Sequence, residues 1–257
     1  MPTLPVGCEL YSVRLALADD LHGTIKAVAD MGYDGVEFFG EPQHSAKVYK
    51  QALDDAGTIC CGWHTPFAHM QDDRLDETIQ FNQTIGNNRL IVPSIPAEHR
   101  QTLDDWRTMG DWFSSRAEKL ESHGMVTGYH NHTVEFEELD GGIPWFALFD
   151  NTSDKVIAQL DNGHAFRAGA DVVEAVSRYP GQGRTIHLKP YSRTLGQGGM
   201  KGYEPLIGDD EIPWTPFFDA CETIAGTKWY IIEYESDAYP ELEAVDKCLQ
   251  ALRSMGK

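Results

Sequence analysis

No apolar run in this 257-residue chain approaches the roughly 20 residues that a membrane span needs. The opening MPTLPVGCELYSVRLALADD has no basic segment ahead of a long apolar stretch, so it does not read as a secretory leader. Positive charge is scarce: 21 Lys and Arg stand against 40 Asp and Glu, a net charge of -19. That field repels a nucleic-acid backbone, and no polybasic patch or lipid-modified terminus offsets it. The five cysteines are odd in number and none has CxxC spacing; adjacent Cys60 and Cys61 cannot bond to each other without strain. Reduced, mostly buried thiols of a cytoplasmic protein are the expectation.

What is present is ordinary for a soluble globular domain: 41% hydrophobic and 24% charged residues. The informative signal is alternation. Short β-rich runs occur at 6–11, 33–39, 58–63, 89–94, 125–132, 156–161, 185–190 and 229–234. Most are continuously apolar, as suits strands buried on both faces of a parallel sheet. Helical patterns lie between them, several stopping at a glycine such as Gly32, Gly57, Gly86 or Gly124. Eight strands alternating with about eight helices predict one (β/α)8 TIM barrel over residues 1–257, near the usual length of about 250 residues. A doubly wound open sheet is the alternative, but the first strand runs into YSVRLALADD without a Gly-rich phosphate fingerprint. The Gly-rich stretch 191–214 reads as a substrate-covering loop.

In such a barrel, polar side chains at the carboxyl ends of strands converge on one site. Here those ends carry Glu37, His64, the run His130–Asn131–His132 followed by Glu135, then Asp161 with His164, then His187 and Lys189, and last Glu233 and Glu235. Unpaired buried charges cost several kcal/mol. A divalent cation held by Asp161, His187, Glu233 and a carboxylate from strand five would satisfy several at once. Mixed oxygen and nitrogen donors fit Mn, Mg, Co or Zn rather than a thiolate site. For any one of these residues alone, a hydrogen-bonded loop anchor is the plainer reading.

In order and spacing, GYDGVEFFG, CCGWHTPF, LDNGHAFRAG, IHLKPYSR, GDDEIPW and YIIEYES resemble the xylose isomerase-like TIM barrels. That family groups sugar phosphate isomerases and epimerases with endonuclease IV. The resemblance to its ketose 3-epimerase members implies a metal held by Glu, Asp, His and Glu from strands five to eight. It carries Asp161, His187 and Glu233 as ligands. It also implies that His164, three residues after the Asp, and Arg193, six after the His, bind substrate oxygens. Strand five departs from the pattern, because His130 stands where the ligand Glu would be. Either His130 binds the metal or Glu135 folds back to do so; charge balance favours Glu135.

The implied activity is a sugar isomerase or epimerase that passes through a cis-enediolate on one divalent ion, Mn2+ first among the candidates. Glu233 would move a proton on one face and His130, His132 or Glu135 on the other. Lys189, Glu37 and His64 would bind hydroxyls, and Trp63, Phe67, Trp145 and Trp214 either cover a sugar ring or simply pack. His22, His44, His69, His99 and His123 read as surface residues, and Lys201 offers a weak phosphate contact. The competing class is a lyase or dehydratase on a 3-keto sugar, inosose or related glycoside, favoured by the His-rich fifth strand. A phosphodiesterase of the endonuclease IV type is disfavoured by the acidic charge, and a non-catalytic sugar-binding barrel is the remaining class. The expected partner is a small sugar, with neither nucleic acid nor membrane, and a homo-oligomer is compatible with the exposed aromatic pattern DDWRTMGDWF.

Overall fold

Strand formation follows the β-rich runs closely. The computed structural model describes residues 3–257, and among them the strands are β1 (Val6–Glu9), β2 (Gly35–Phe39), β3 (Cys60–His64), β4 (Arg89–Val92), β5 (Val126–His130), β6 (Ile157–Gln159), β7 (Thr185–Leu188) and β8 (Trp229–Ile232). All pairings are parallel, in the order β6-β5-β4-β3-β2-β1-β8-β7. Strands consecutive in the chain are therefore neighbours, with β1 against β8, as a (β/α)8 barrel requires. The ends of this sheet meet between β6 and β7. There a parallel bridge joins Asp161 to His187, and the His187 N–H donates to the Leu160 carbonyl at 2.9 Å.

The helices start and stop where local chemistry dictates. Asp20 caps Leu21–Met31 by accepting from the Gly23 N–H, and Thr102 opens Leu103–Glu121 with a capping box closed by Asp105. Gly32, Gly57 and Gly86 take left-handed φ values of 102°, 68° and 78° just past their helices. No helix of the described residues is long and apolar enough to cross a membrane. All five cysteines are free and buried.

Aliphatic and aromatic groups such as Val36, Phe38, Leu90, Tyr129, Leu188 and Ile232 bury the sheet against the helices. The aromatics raised as ring covers pack instead: Trp63 on Phe38 and Tyr49, Trp145 on Phe136 and Phe149, Trp214 on Phe218, and half-buried Phe67 on Trp112. The barrel interior, by contrast, is polar. Side chains from β2, β6 and β7 touch one another across it, and that is the foundation of the site.

Candidate active site and metal centre

Glu37 of β2 lies completely buried in the barrel interior. A side chain on residue 62 would collide with its carboxylate, so the Gly62 in β3 is what gives Glu37 room. The Glu37 carboxylate accepts from Gln159 Nε2 at 3.1 Å and from His187 Nε2 at 2.6 Å, and His64 Nε2 stands 3.3 Å away. Burial alone would raise its pKa, but the neighbouring His64 imidazole and the bond from His187 outweigh it and hold Glu37 at about 2. The other nitrogen of His187, Nδ1, is 2.7 Å from Glu233 Oε2. Burial opposes a charged His187, yet its bonds to Glu233 and Glu37 win and raise its pKa to about 9.

Glu233 sits one residue beyond β8, and its second oxygen is 3.1 Å from Lys189 Nζ. The same ammonium reaches Glu235 at 2.9 Å, Asp161 Oδ2 at 3.4 Å and His164 Nε2 at 3.0 Å. Burial opposes its charge, but Asp161, Glu233 and Glu235 together raise the Lys189 pKa. A charged ammonium can only donate, so His164 must accept at Nε2. Its Nδ1 hydrogen then faces the hydroxyls of Tyr203 at 2.8 Å and Thr133 at 3.0 Å. Burial and Lys189 both lower the His164 pKa, which keeps the ring neutral.

Asp161 follows β6 and caps the helix Asn162–Arg167, accepting the His164 N–H at 2.7 Å through Oδ1. Its Oδ2 is buried and accepts no hydrogen bond. Burial pushes the Asp161 pKa up to about 7 against the opposing charge of Lys189. His130 ends β5 and donates from Nδ1 to Gln159 Oε1 at 3.1 Å. Burial and the neighbouring imidazoles of His187 and His64 lower its pKa. Donor atoms of His130, Asp161, His187 and Glu233 lie within 4.8 Å of one another, all buried.

These four residues fit a divalent cation. Asp161 Oδ2 accepts no hydrogen bond, with the Lys189 ammonium 3.4 Å away, and two carboxylates with two imidazoles form a mixed donor set suited to Mn, Mg, Co or Zn. A cation taken at His187 Nδ1 would leave Nε2–H on Glu37, the carboxylate partner that orients a metal-binding imidazole.

The structure brings together most of the residues the sequence pointed to, and finds four of them turned away or already committed to other partners. Glu135, favoured as the strand-five ligand, lies outside the group. The short turn Thr133–Phe136 folds its carboxylate back onto the Tyr129 hydroxyl at 2.8 Å and the His132 N–H at 2.7 Å. His130, the alternative, is the strand-five residue whose donor atom lies with those of Asp161, His187 and Glu233. Arg193, expected to hold substrate oxygens, is exposed; its guanidinium packs over Phe166 and donates to the Phe166 and Ala170 carbonyls. Glu37 is spent on Gln159 and His187 beneath the site rather than open to a hydroxyl, and His64 Nε2 is likewise committed to Gln159 at 2.8 Å. His132 is at the site: one ring nitrogen accepts from the Glu135 N–H, its ring centre is 5.3 Å from that of His130, and burial with Lys189 nearby lowers its pKa to about 4. Away from the site, His69 is buried rather than on the surface and pairs with Glu41 at 2.7 Å.

Three contributors were not singled out in the sequence: Gln159, Glu9 and Tyr203. Gln159 lies two residues before Asp161, and strand alternation could have placed both on the inner face. Glu9 ends β1 fully buried, and one of its oxygens has no hydrogen-bond partner. Tyr203 comes from the loop 191–214, which does reach the site. A cavity of about 350 Å3 opens there, lined by Arg14, Lys201, Tyr203, Glu204 and Glu235 among others.

A (β/α)8 barrel with charged groups converging at the carboxyl ends of its strands is the architecture of an enzyme. Residues 25–255 match the family described as xylose isomerase-like TIM barrel, and the chain belongs to that family. It is 23% identical over 248 residues to an inosose dehydratase of Clostridium perfringens, an alignment covering 83% of this chain and 82% of that one. Among solved structures, a sugar phosphate isomerase/epimerase from Parabacteroides distasonis superposes with TM-score 0.79 at 24% identity, covering 98% of this chain and 95% of the other. A D-allulose 3-epimerase from Methylomonas sp. does so with TM-score 0.71 at 13% identity over 98% and 96%.

Proposed function

We propose that this protein is a divalent-metal-dependent lyase that dehydrates a keto-sugar or keto-cyclitol such as an inosose. The observation that carries this reading is the contact between Glu233 and Lys189 at 3.1 Å, with no second carboxylate facing them from strand five. Elimination needs a base and an acid working together. Epimerisation needs a proton acceptor on one face of the substrate and a donor on the other, and the carboxylate expected for that second face, Glu135, is turned away.

His130, Asp161, His187 and Glu233 would hold the cation, which when bound supplies Lewis-acid stabilisation of negative charge on substrate oxygens. Glu233 removes the proton from the carbon next to the carbonyl. The C–H electron pair moves into a new C=C bond, and the hydroxyl on the adjacent carbon departs. Lys189, beside Glu233, donates the proton that turns the departing hydroxide into water and recovers one from Glu233, so the pair ends as it began. His132, neutral and with one nitrogen already accepting from the Glu135 N–H, carries its hydrogen on the other nitrogen and presents it to a substrate oxygen. The inosose dehydratase name of the Clostridium perfringens relative points the same way.

The test is to incubate the metal-reconstituted enzyme with inososes and 3-keto sugars in D2O, and to follow enone absorbance and the recovered substrate by NMR. Water loss with enone formation is the expected result. Deuterated, inverted ketose without any enone would replace this reading with epimerisation. That second reading has its own support in His132, whose imidazole stands near His130 and could return a proton on the other face.

A further inference from the structure

Gln159 is buried in the barrel interior and engages four groups at once. Its Nε2 donates to Glu37 Oε1 and to Thr185 Oγ1, each at 3.1 Å. Its Oε1 accepts from His64 Nε2 at 2.8 Å and from His130 Nδ1 at 3.1 Å. The orientation of this amide is dictated by its surroundings. An ionised Glu37 can only accept, so it must face the N–H end; a flipped amide would set a carbonyl oxygen against a carboxylate. The Oε1 end can only accept as well, so both imidazole nitrogens that face it carry hydrogens. A neutral imidazole has one N–H. The lone pair of His130 is therefore on Nε2, and that of His64 is on Nδ1.

We propose that Gln159 is a positioning residue that selects the tautomer of His130 and so makes Nε2 the nitrogen available to a cation beside Asp161, His187 and Glu233. This rests on the reading of those four residues as a cation site. Glu37 extends the device. It orients the Gln159 amide and also accepts from His187 Nε2, so a single buried carboxylate fixes the imidazoles contributed by β5 and β7. With the opposite tautomer, His130 would aim a hydrogen at the cation. Losing such an outer partner typically costs about 10–100-fold in metal affinity.

The experiment compares wild type, Gln159→Met and Gln159→Glu by imidazole 15N NMR of the chelated full-length protein, and by Zn2+ titration. Met keeps the volume and removes the acceptor. Glu keeps an oxygen toward both imidazoles and, when protonated, a donor toward Glu37. In wild type, His130 is expected to show a protonated Nδ1 and an unprotonated Nε2. Gln159→Met is expected to mix the tautomers and weaken Zn2+ binding by about 10–100-fold, and Gln159→Glu to restore both. A wild-type His130 protonated at Nε2 overturns the proposal whether or not the Met variant folds. So does a folded Met variant with unchanged tautomer and affinity. If wild type shows the expected tautomer but binds no divalent cation, it is the cation reading that fails, and the tautomer assignment stands on the chelated spectrum.

Discussion

Lys189 donates from Nζ to His164 Nε2 at 3.0 Å, so one buried ammonium both neutralises acidic neighbours and fixes a neutral imidazole. It is also the counter-charge within 3.4 Å of Asp161, Glu233 and Glu235. Replacing Lys189 with Met strands those carboxylates. Removing one member of a buried ion pair costs about 3–5 kcal/mol, and a loss of that order is expected in urea unfolding of the chelated protein, together with loss of turnover. An unchanged midpoint would show that the carboxylates do not depend on this lysine.

Strand five separates two side chains that the sequence could not rank. His130→Ala is expected to weaken divalent-cation binding strongly, because it removes a donor from the group of four. Glu135→Gln is expected to leave that affinity intact and to cost about 1 kcal/mol through its bonds to Tyr129 and the His132 N–H. Isothermal titration and thermal melts read the two effects separately; the reverse ranking would return Glu135 to the site.

For turnover, Glu233→Gln removes the proposed base and is expected to lower kcat by about 10²–10⁴-fold. Arg193→Ala is expected to leave KM unchanged, since the guanidinium is tied to the Phe166 and Ala170 carbonyls. A raised KM in Arg193→Ala would mean that the loop swings inward to meet substrate.

The pH behaviour has a definite sign. In the metal-free protein the Asp161 pKa rises from 3.8 to about 7, so this group costs stability progressively as pH climbs between those values. His187 is raised from 6.5 to about 9; its contribution is full below 6.5 and fades as pH passes through 9. Both protons must leave for a cation to bind at these atoms. The gap in Tm between cation-saturated and chelated protein should therefore widen from pH 6 to 8.5. A gap that narrows over that range would contradict the assignment of Asp161 and His187 as ligands.

Much of this was legible in the chain. Strand runs and glycine stops are local signals, and they placed β1–β8 within a residue or two at either end. Asp161, His187 and Glu233 were visible as polar residues at strand ends. The side chains of Glu135 and Arg193 point elsewhere than expected, because each comes several residues past its strand, where the turn decides which way a side chain points. In Thr133–Phe136 that turn aims Glu135 at Tyr129. Gln159 and Glu9 were hidden for a different reason: a single polar residue within or ending an apolar strand means little until the facing strands supply its partners. His69 was hidden in the same way by Glu41, 28 positions away in the chain.

The joint between β6 and β7 consists of one bridge, Asp161 to His187, where other neighbouring strands share ladders. Both of its residues belong to the group of four donors. An ion clasped by the two would rivet the cylinder along its most weakly stitched seam. Amide hydrogens around Leu160 and His187 should then exchange more slowly once the protein is loaded, tying catalytic readiness to the mechanical closure of the barrel.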